Sequence, residues 1–189
     1  MPKLKTILCE KPSQALAISK MFGLTRSDKQ ATHYYNESKG VCVLNAVGHL
    51  FELAEPHIYD PSLKNSWQIS SLPVVPTSLE AFKIQLKPEF KKHFADMKKR
   101  LNDTTTLLIA TDPDDEGELI GRDIVEMSGY KGEVKRVLVS STVQKDLEDG
   151  FANPRPIEET AICAVRADLR RKIDWLIGIN GLRQRTANP

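Results

Sequence analysis

The feature that most restricts the fold is an apolar run at residues 106–110 (TLLIA) that leads directly into an acidic segment at residues 111–118 (TDPDDEGE). A short, continuous apolar run is typical of a strand buried in the middle of a parallel sheet, whose two faces are both covered by helices. A helical pattern follows the acidic segment and ends near residue 128, before Gly129. The sequence therefore predicts a strand, a polar loop and a helix in succession, with the loop at the carboxyl edge of a sheet.

Strand patterns and helix patterns alternate along most of the chain. This alternation predicts an α/β fold with a parallel sheet flanked by helices on both faces. From residue 157 the pattern changes to one long helix with no strand after it, so we place a domain boundary near residues 153–156. Residues 56–76, rich in proline, are expected to form a long irregular crossing. Further strands are expected at residues 5–9, 33–36, 40–47 and 134–139, and further helices at residues 14–22 (capped by Ser13), 90–101 and 143–151.

Composition excludes several classes of protein. No apolar run approaches the roughly 20 residues that a membrane helix needs, and the N-terminus lacks the apolar stretch of a signal peptide. We therefore expect a cytoplasmic protein that does not bind membranes. The three cysteines, Cys9, Cys42 and Cys163, form no CxxC pair, so neither a zinc site nor a disulfide framework is indicated.

Charge is unevenly distributed, although the formal net charge is only +2. Acidic residues are concentrated at 112–118, and basic residues at 87–100 and 166–185. Local basic faces around an acidic site are typical of proteins that bind nucleic acid. The alternative, that the basic runs are solvated helix faces, stays open at this point.

The acidic segment is a candidate metal site, because five of the eight residues at 111–118 are acids. So many neighbouring carboxylates repel one another unless a cation lies among them. Alternate side chains of an extended segment point the same way, so we expect Asp112, Asp114 and Glu116 to face one side together. Oxygen donors suit Mg²⁺ better than zinc or copper. The alternative is a solvated acidic loop whose glutamates favour a helix N-terminus.

Glu10 and Lys11 follow the first predicted strand. A carboxylate beside a lysine at a strand end could move protons and hold a phosphate group. The alternative is an ordinary surface pair at the start of a helix.

Five motifs follow one another in the order found in bacterial topoisomerase III-like enzymes. The chain therefore resembles the N-terminal part of a type IA DNA topoisomerase. Asp-x-Asp-x-Glu-Gly alone also occurs in other TOPRIM proteins, such as primases and some nucleases, whereas the first and last motifs are more specific. The motifs are Glu10-Lys11-Pro12-Ser13, Gly48-His49-Leu50, Leu72-Pro73-Val74-Val75-Pro76, Asp112-x-Asp114-x-Glu116-Gly117 and Asp174-Trp175-Leu176-x-Gly178-Ile179-Asn180.

The resemblance implies a TOPRIM fold for residues 1–155 and the beginning of a helical, strand-guiding domain, truncated here, for residues 156–189. It implies an isomerase that cleaves and religates single-stranded or underwound DNA in the cytoplasm, associated with the nucleoid. Glu10 and Lys11 would be catalytic, with Lys11 on the phosphate at the break. The implied Mg²⁺ ligands are Glu10, Asp112, Asp114 and Glu116. The implied DNA contacts are Trp67, Trp175 and Arg183.

Three arginines of the last predicted helix are further candidates for DNA contacts. Arg166, Arg170 and Asp174 are spaced by four and share one helical face. We expect Arg170 to pair with Asp174, which would leave Arg166 and Arg171 free for phosphates. The alternative is an ordinary surface ion pair. Core packing is also an open reading for Trp67 and Trp175. His49 could contact DNA, but it is expected to cap a turn.

Two positions depart from the family pattern. Asp115 stands where the family usually has Arg, which replaces a phosphate-pairing cation with an anion and is expected to weaken DNA contact near the metal and to tighten cation binding. Leu182 stands where the family usually has Thr, before the arginine that matches Arg183.

The nucleophilic tyrosine of the family is expected in a later domain, beyond this chain. Tyr34, Tyr35, Tyr59 and Tyr130 all lie in the TOPRIM part, and none matches the family's tyrosine motif. Two other functions stay open. One is a stand-alone, non-catalytic TOPRIM module that binds DNA, and the other is a TOPRIM nuclease that depends on a metal.

Overall fold

A computed structural model describes residues 4–26, 33–36, 38–64 and 69–187 of the chain. The side chains of residues 69, 183 and 185–187 are not among those described. Trp67, one of the predicted DNA contacts, therefore lies outside the described residues, and of Arg183 only the backbone is described.

The central feature is a mixed sheet whose middle is parallel. Strand β1 (Leu4–Cys9) lies between β4 (Val41–Asn45) and β7 (Thr104–Ile109), and β8 (Glu133–Arg136) follows β7, all in parallel register. The edges are antiparallel: β3 (His33–Asn36) pairs with β4, β2 (Thr25–Arg26) pairs with β3, and β9 (Arg155–Pro156) pairs with β8. The short connection between β3 and β4 explains the antiparallel edge, because a parallel crossover needs a dozen or more residues.

Helices cover both faces of this sheet, as the alternation of strands and helices predicted. Helices α2 (Lys91–Asn102) and α3 (Asp115–Ser128) lie on one face, where Phe94 and Ile124 are buried against Leu107. Helices α1 (Pro12–Met21) and α4 (Gln144–Ala152) lie on the other, where Ile18 and Leu147 are buried. The expected α/β fold with a mostly parallel sheet flanked by helices is therefore confirmed.

Several local features differ from the prediction. Strands β5 (Phe51–Leu53) and β6 (Ile84–Leu86) form a small antiparallel sheet that the sequence did not indicate. Between them the described residues form short 3₁₀ turns rather than longer helices. Helix α1 begins at Pro12 with Lys11 at the N-cap, so the expected cap at Ser13 was wrong. The fixed φ of proline suits the first helical position and sets this boundary.

The last helix, α5 (Ala161–Ala187), follows a 3₁₀ turn at Ile157–Thr160 and packs against α3. A long helix in this region was expected, whereas the division into two domains stays a prediction. No helix within the described ranges is both long and apolar enough to cross a membrane.

Close packing between α3 and β7 yields a test of the fold. A Cβ atom at Gly121 would lie 2.5 Å from Cγ2 of Ile109, whereas a Cβ atom at Gly178 on α5 would meet nothing within 4 Å. We expect Gly121→Ala to lower the free energy of unfolding by about 1–3 kcal/mol, because overpacking outweighs the helix propensity of alanine. The control Gly178→Ala should raise it by up to about 1 kcal/mol. Urea denaturation measures both, and equal stabilisation by the two alanines would contradict this packing.

Candidate metal and DNA site

The candidate site lies at the carboxyl edge of the sheet, where β1 and β7 end side by side. Glu10 directly follows β1, and Asp112 comes three residues after the end of β7. The ammonium of Lys11 lies 2.6 Å from Oδ2 of Asp112 and 3.9 Å from Oε1 of Glu10. The structure thus brings together three of the residues that the motifs singled out, from segments about a hundred residues apart in sequence.

Charge and burial act on these three groups in opposite directions. Burial raises the pKa of Glu10, the charge of Asp112 raises it further, and the charge of Lys11 opposes both. The hydrogen bond that Lys11 donates to Asp112 raises the pKa of the lysine, with further contributions from the charges of Asp112 and Glu10. Lys11 therefore stays an ammonium and neutralises part of the negative charge at the sheet edge.

The acidic segment does not stay extended as far as Glu116, so the expectation that three carboxylates share one side was wrong. Asp114 is the N-cap of α3, and its Oδ1 accepts a hydrogen bond of 2.7 Å from the amide of Gly117. This cap ends the extended segment and starts the helix. Glu116 then lies in the first helical turn, where its Oε1 is 2.9 Å from Nε2 of His49.

The oxygen atoms of these carboxylates suit a hard cation, although the carboxylates do not surround a single point. Among the residues that the structure describes, no group of three or more His, Cys, Asp or Glu side chains is arranged to hold a metal ion. The ammonium of Lys11, however, already lies between the Glu10 and Asp112 carboxylates, as a cation would. Carboxylate oxygens are the ligands that Mg²⁺ prefers, so the chemistry of the site suits that ion.

A strained turn after β4 forms a hydrogen bond with the main chain of Glu10. Val47 and Gly48 have φ values of 62° and 79°, and the amide of Val47 donates to the carbonyl of Glu10 at 2.8 Å. A left-handed conformation is costly for a β-branched residue and persists only where the surroundings fix it. The turn also carries His49, whose contact with Glu116 the sequence did not reveal.

The arginines of α5 are engaged with α3 rather than free. Arg166 forms two hydrogen bonds with Asp115, at 2.9 and 2.6 Å. Arg171 pairs with Asp123 and with Asp168, each at 2.7 Å. The expectation that Arg166 and Arg171 are free for phosphates was therefore wrong, because the packing of α5 on α3 brings acidic partners to both.

Arg170 and Asp115 also differ from what the sequence predicted. No ion pair joins Arg170 to Asp174 within the described part of the chain. Arg170 instead lines a cavity. The bidentate contact with Arg166 lowers the pKa of Asp115 and offsets its charge. Asp115 thus has a cationic partner on α5 that the sequence did not indicate, and its effect on cation binding stays a prediction.

A cavity of about 490 Å³ lies beside the carboxylates, between β5, the first turn of α3 and α5. Its volume is in the range of ligand-binding pockets, which is about 300–1,000 Å³. It has both acidic and basic walls and one aromatic wall. The polar and aromatic side chains that line it include His49, Lys87, Glu116, Arg170, Asp174 and Trp175.

Trp175 packs partly as a core residue and partly as a wall of this cavity. Its indole N–H donates to the carbonyl of Ala54 at 3.1 Å, and its ring makes edge contacts of 5.5 Å with both Tyr59 and Phe82. Five residues farther along α5, the side-chain amide of Asn180 exchanges two hydrogen bonds with the backbone of Val74. Two of the motifs found in the sequence are therefore in direct contact.

Comparisons with known proteins agree with this architecture. Residues 5–142 match the family described as the Toprim domain. The chain is 36% identical to DNA topoisomerase 3 of Shouchella clausii over 186 residues. This alignment covers 97% of this chain and 24% of that protein. The chain is 32% identical over 182 residues to DNA topoisomerase 3 of Staphylococcus epidermidis, with 95% and 24% covered. The chain thus spans about a quarter of the length of these relatives.

A solved structure gives the same result for the fold. Full-length topoisomerase I from Thermotoga maritima superposes with a TM-score of 0.61 over 91% of this chain and 24% of that chain, at 21% identity. The chain therefore belongs to the Toprim domain family, and its predicted resemblance to topoisomerase III-like proteins is confirmed.

The strained turn beside Glu10 yields a second test. Val47 is 46% exposed, so Val47→Gly loses little packing and relieves the left-handed conformation. We expect the free energy of unfolding to rise by about 1 kcal/mol. Val75, which is 60% exposed and has no positive φ, is the matched control, and Val75→Gly should lower it. Destabilisation by both substitutions in a thermal or urea melt would argue against strain at Val47.

Proposed function

We propose that this chain is the Toprim part of a type IA DNA topoisomerase, in which it holds Mg²⁺ and a single strand of DNA for cleavage and religation. The observation that carries the proposal is the convergence of Glu10, Lys11 and Asp112 at one sheet edge, in a chain similar to proteins named DNA topoisomerase 3. The relatives are about four times as long as this chain, so the complete reaction belongs to a longer protein.

In this proposal the carboxylates of the sheet edge hold the metal. When bound, Mg²⁺ supplies positive charge to phosphate oxygens and so stabilises the transition state of phosphoryl transfer. Glu10 and Asp112 are the first candidates, because an ammonium already lies between them. Asp114 and Glu116 lie in the same loop and first helical turn and complete the proposed ligand set.

Lys11 is proposed to contact the phosphate at the break. Its side chain is 57% exposed, and its ammonium lies at the open side of the carboxylates. An ammonium in this position donates hydrogen bonds to non-bridging phosphate oxygens as their negative charge grows. In this role Lys11 keeps its proton, as an exposed lysine does near neutral pH, and acts through charge rather than as a base.

The cavity beside the metal site is the proposed path of the DNA strand. Arg170 and Lys87 supply positive charge for phosphates, and Trp175 supplies part of an indole face. Base stacking on an aromatic ring contributes about 1–3 kcal/mol per base and needs an unpaired base. These features favour single-stranded or underwound DNA over an intact duplex.

Four further residues were predicted to contact DNA: Trp67, Arg166, Arg171 and Arg183. Arg166 and Arg171 are the weaker candidates among them, because both already pair with acidic side chains.

The nucleophile is proposed to be a tyrosine in a later part of the longer protein. Its hydroxyl oxygen attacks the phosphorus and gives up its proton, the bond from phosphorus to the sugar oxygen breaks, and that oxygen takes up a proton. The phosphotyrosine bond keeps the energy for resealing. We assign residues 1–155 to the Toprim domain and residues 156–189 to the start of a strand-guiding helical domain. We further propose that the protein acts in the cytoplasm, at the nucleoid.

Metal binding is tested with the chain of 189 residues. We expect calorimetry to detect saturable Mg²⁺ binding that Asp112→Asn weakens about tenfold or more, because a ligand charge is lost. Asp149, an exposed aspartate on α4, is the matched control, and Asp149→Asn should leave the affinity unchanged. Binding that ignores Asp112→Asn would contradict the proposed site. Mg²⁺-dependent nicking of plasmid DNA that Asp112→Asn abolishes would instead indicate a nuclease.

DNA binding is tested by fluorescence anisotropy with a single-stranded oligonucleotide. We expect Arg170→Ala to weaken binding several-fold and to reduce its salt dependence by about one phosphate contact. Arg155, an exposed arginine on the edge strand β9, is the matched control, and Arg155→Ala should have little effect. Equal effects of the two variants, or equal affinity for duplex DNA, would contradict the proposed path.

A further inference from the structure

A charged pair, Arg136 on β8 and Glu118 on α3, lies in the interior of the protein. Arg136 is 0% exposed and Glu118 is 2% exposed, and Nε of the arginine lies 2.6 Å from Oε2 of the glutamate. Burying two charges costs solvation, and an apolar pair of similar volume is often at least as stable. The stability of the core therefore does not explain the pair, and its other contacts indicate what it does.

The guanidinium of Arg136 donates hydrogen bonds to the main chain at the point where β7 leaves the sheet. Its Nη1 lies 3.0 Å from the carbonyl of Ile109 and 2.9 Å from that of Thr111. Its Nη2 lies 2.7 Å from the carbonyl of Asp112. These carbonyls belong to consecutive parts of the segment that carries the proposed metal ligand. A planar fork with donors in fixed directions reaches them together, which the single ammonium of a lysine does not.

Glu118 holds the guanidinium in this orientation and joins it to the C-terminal helix. Its other oxygen, Oε1, accepts from Nε of Arg122 at 2.9 Å and from the hydroxyl of Thr160 at 2.7 Å. Thr160 belongs to the turn that precedes α5. The network therefore connects the end of β7, the first turns of α3 and the start of α5.

The loop itself is closed by contacts that leave little freedom. The hydroxyl of Thr111 donates to the carbonyl of Gly117 at 2.6 Å, and a Cβ atom at Gly117 would lie 2.3 Å from the carbonyl oxygen of Asp112. The Asp112 carbonyl therefore packs closely against the first turn of α3, at a position where only glycine fits. Arg136 fixes the position of the Asp112 carbonyl. Since a side chain follows its own main chain, this contact also limits the direction of the Asp112 carboxylate.

We propose that Arg136 is a positioning residue that sets the main chain of Asp112, so that its carboxylate faces Glu10 and Lys11. The inference rests on the proposed Mg²⁺ site, to which it adds a residue that does not itself touch the ion. Partners that orient metal ligands from outside the coordination shell typically change metal affinity by about 10–100-fold when they are substituted.

Two variants of the 189-residue chain test this inference. Arg136→Lys keeps the charge but loses the fork, and the double variant Arg136→Met with Glu118→Leu removes both charges without leaving one unpaired. We expect both to fold, as judged by circular dichroism, and to bind Mg²⁺ about tenfold or more weakly by calorimetry. Arg26→Lys, the same substitution at an exposed arginine on the edge strand β2, is the control and should bind within about twofold of the unchanged chain.

A second readout does not depend on metal. In the metal-free chain, Arg136→Lys should speed hydrogen exchange of the Gly117 amide about tenfold while leaving the amide of Ile124, in the middle of α3, unchanged. A folded double variant with unchanged Mg²⁺ affinity and unchanged Gly117 exchange would overturn the proposal. Loss of folding in both variants would also overturn it, because Arg136 would then be a structural residue. If the unchanged chain binds no Mg²⁺ but its Gly117 amide responds to Arg136→Lys, the proposed function fails and the positioning contact stands.

Discussion

Parallel pairing of β1 with β7 is the constraint on which the rest of the site depends. In this register Leu8 lies opposite Ile109, so both strands end at one edge of the sheet. The backbone hydrogen bonds between β1 and β7 therefore bring Glu10 and Asp112 together. The side chains of these two residues take no part in those bonds. Apolar residues on both faces hold the two strands in place, and a shift of one residue would exchange the side chains that face the two layers of helices.

Charge balance around α3 is the second organising feature. Asp112 pairs with Lys11, Asp115 with Arg166, and Asp123 with Arg171. Glu118 pairs with both Arg136 and Arg122. Because two of these cations, Arg166 and Arg171, come from α5, the packing of α5 on α3 is electrostatic as well as apolar. A helix with this many acids near its N-terminus is favoured by the helix dipole and then neutralised by neighbouring elements.

The sequence predicted those parts of the molecule that local patterns determine. The apolar run before Asp112, the helix that ends at Gly129 and the long last helix are all present where the patterns indicated them. The partners of Arg166 and Arg171 were predicted incorrectly, because spacing along one helix does not reveal acids on the helix that packs against it. Arg136 gave no signal, because a single arginine in a strand pattern resembles an edge residue until the burial of β8 is known. The extended acidic segment was wrong because an N-cap hydrogen bond at Asp114 starts a helix there.

The central claim is that Glu10 and Asp112 hold a divalent ion at the carboxyl edge of the sheet. The most direct measurement is a crystal of the chain soaked in Mn²⁺, which prefers the same oxygen ligands as Mg²⁺ and scatters anomalously. An anomalous peak within about 2.0–2.3 Å of carboxylate oxygens of both residues, with Lys11 displaced from Asp112, is the expected result. A map with no peak at this edge, or with a peak held only by residues elsewhere in the chain, would contradict it.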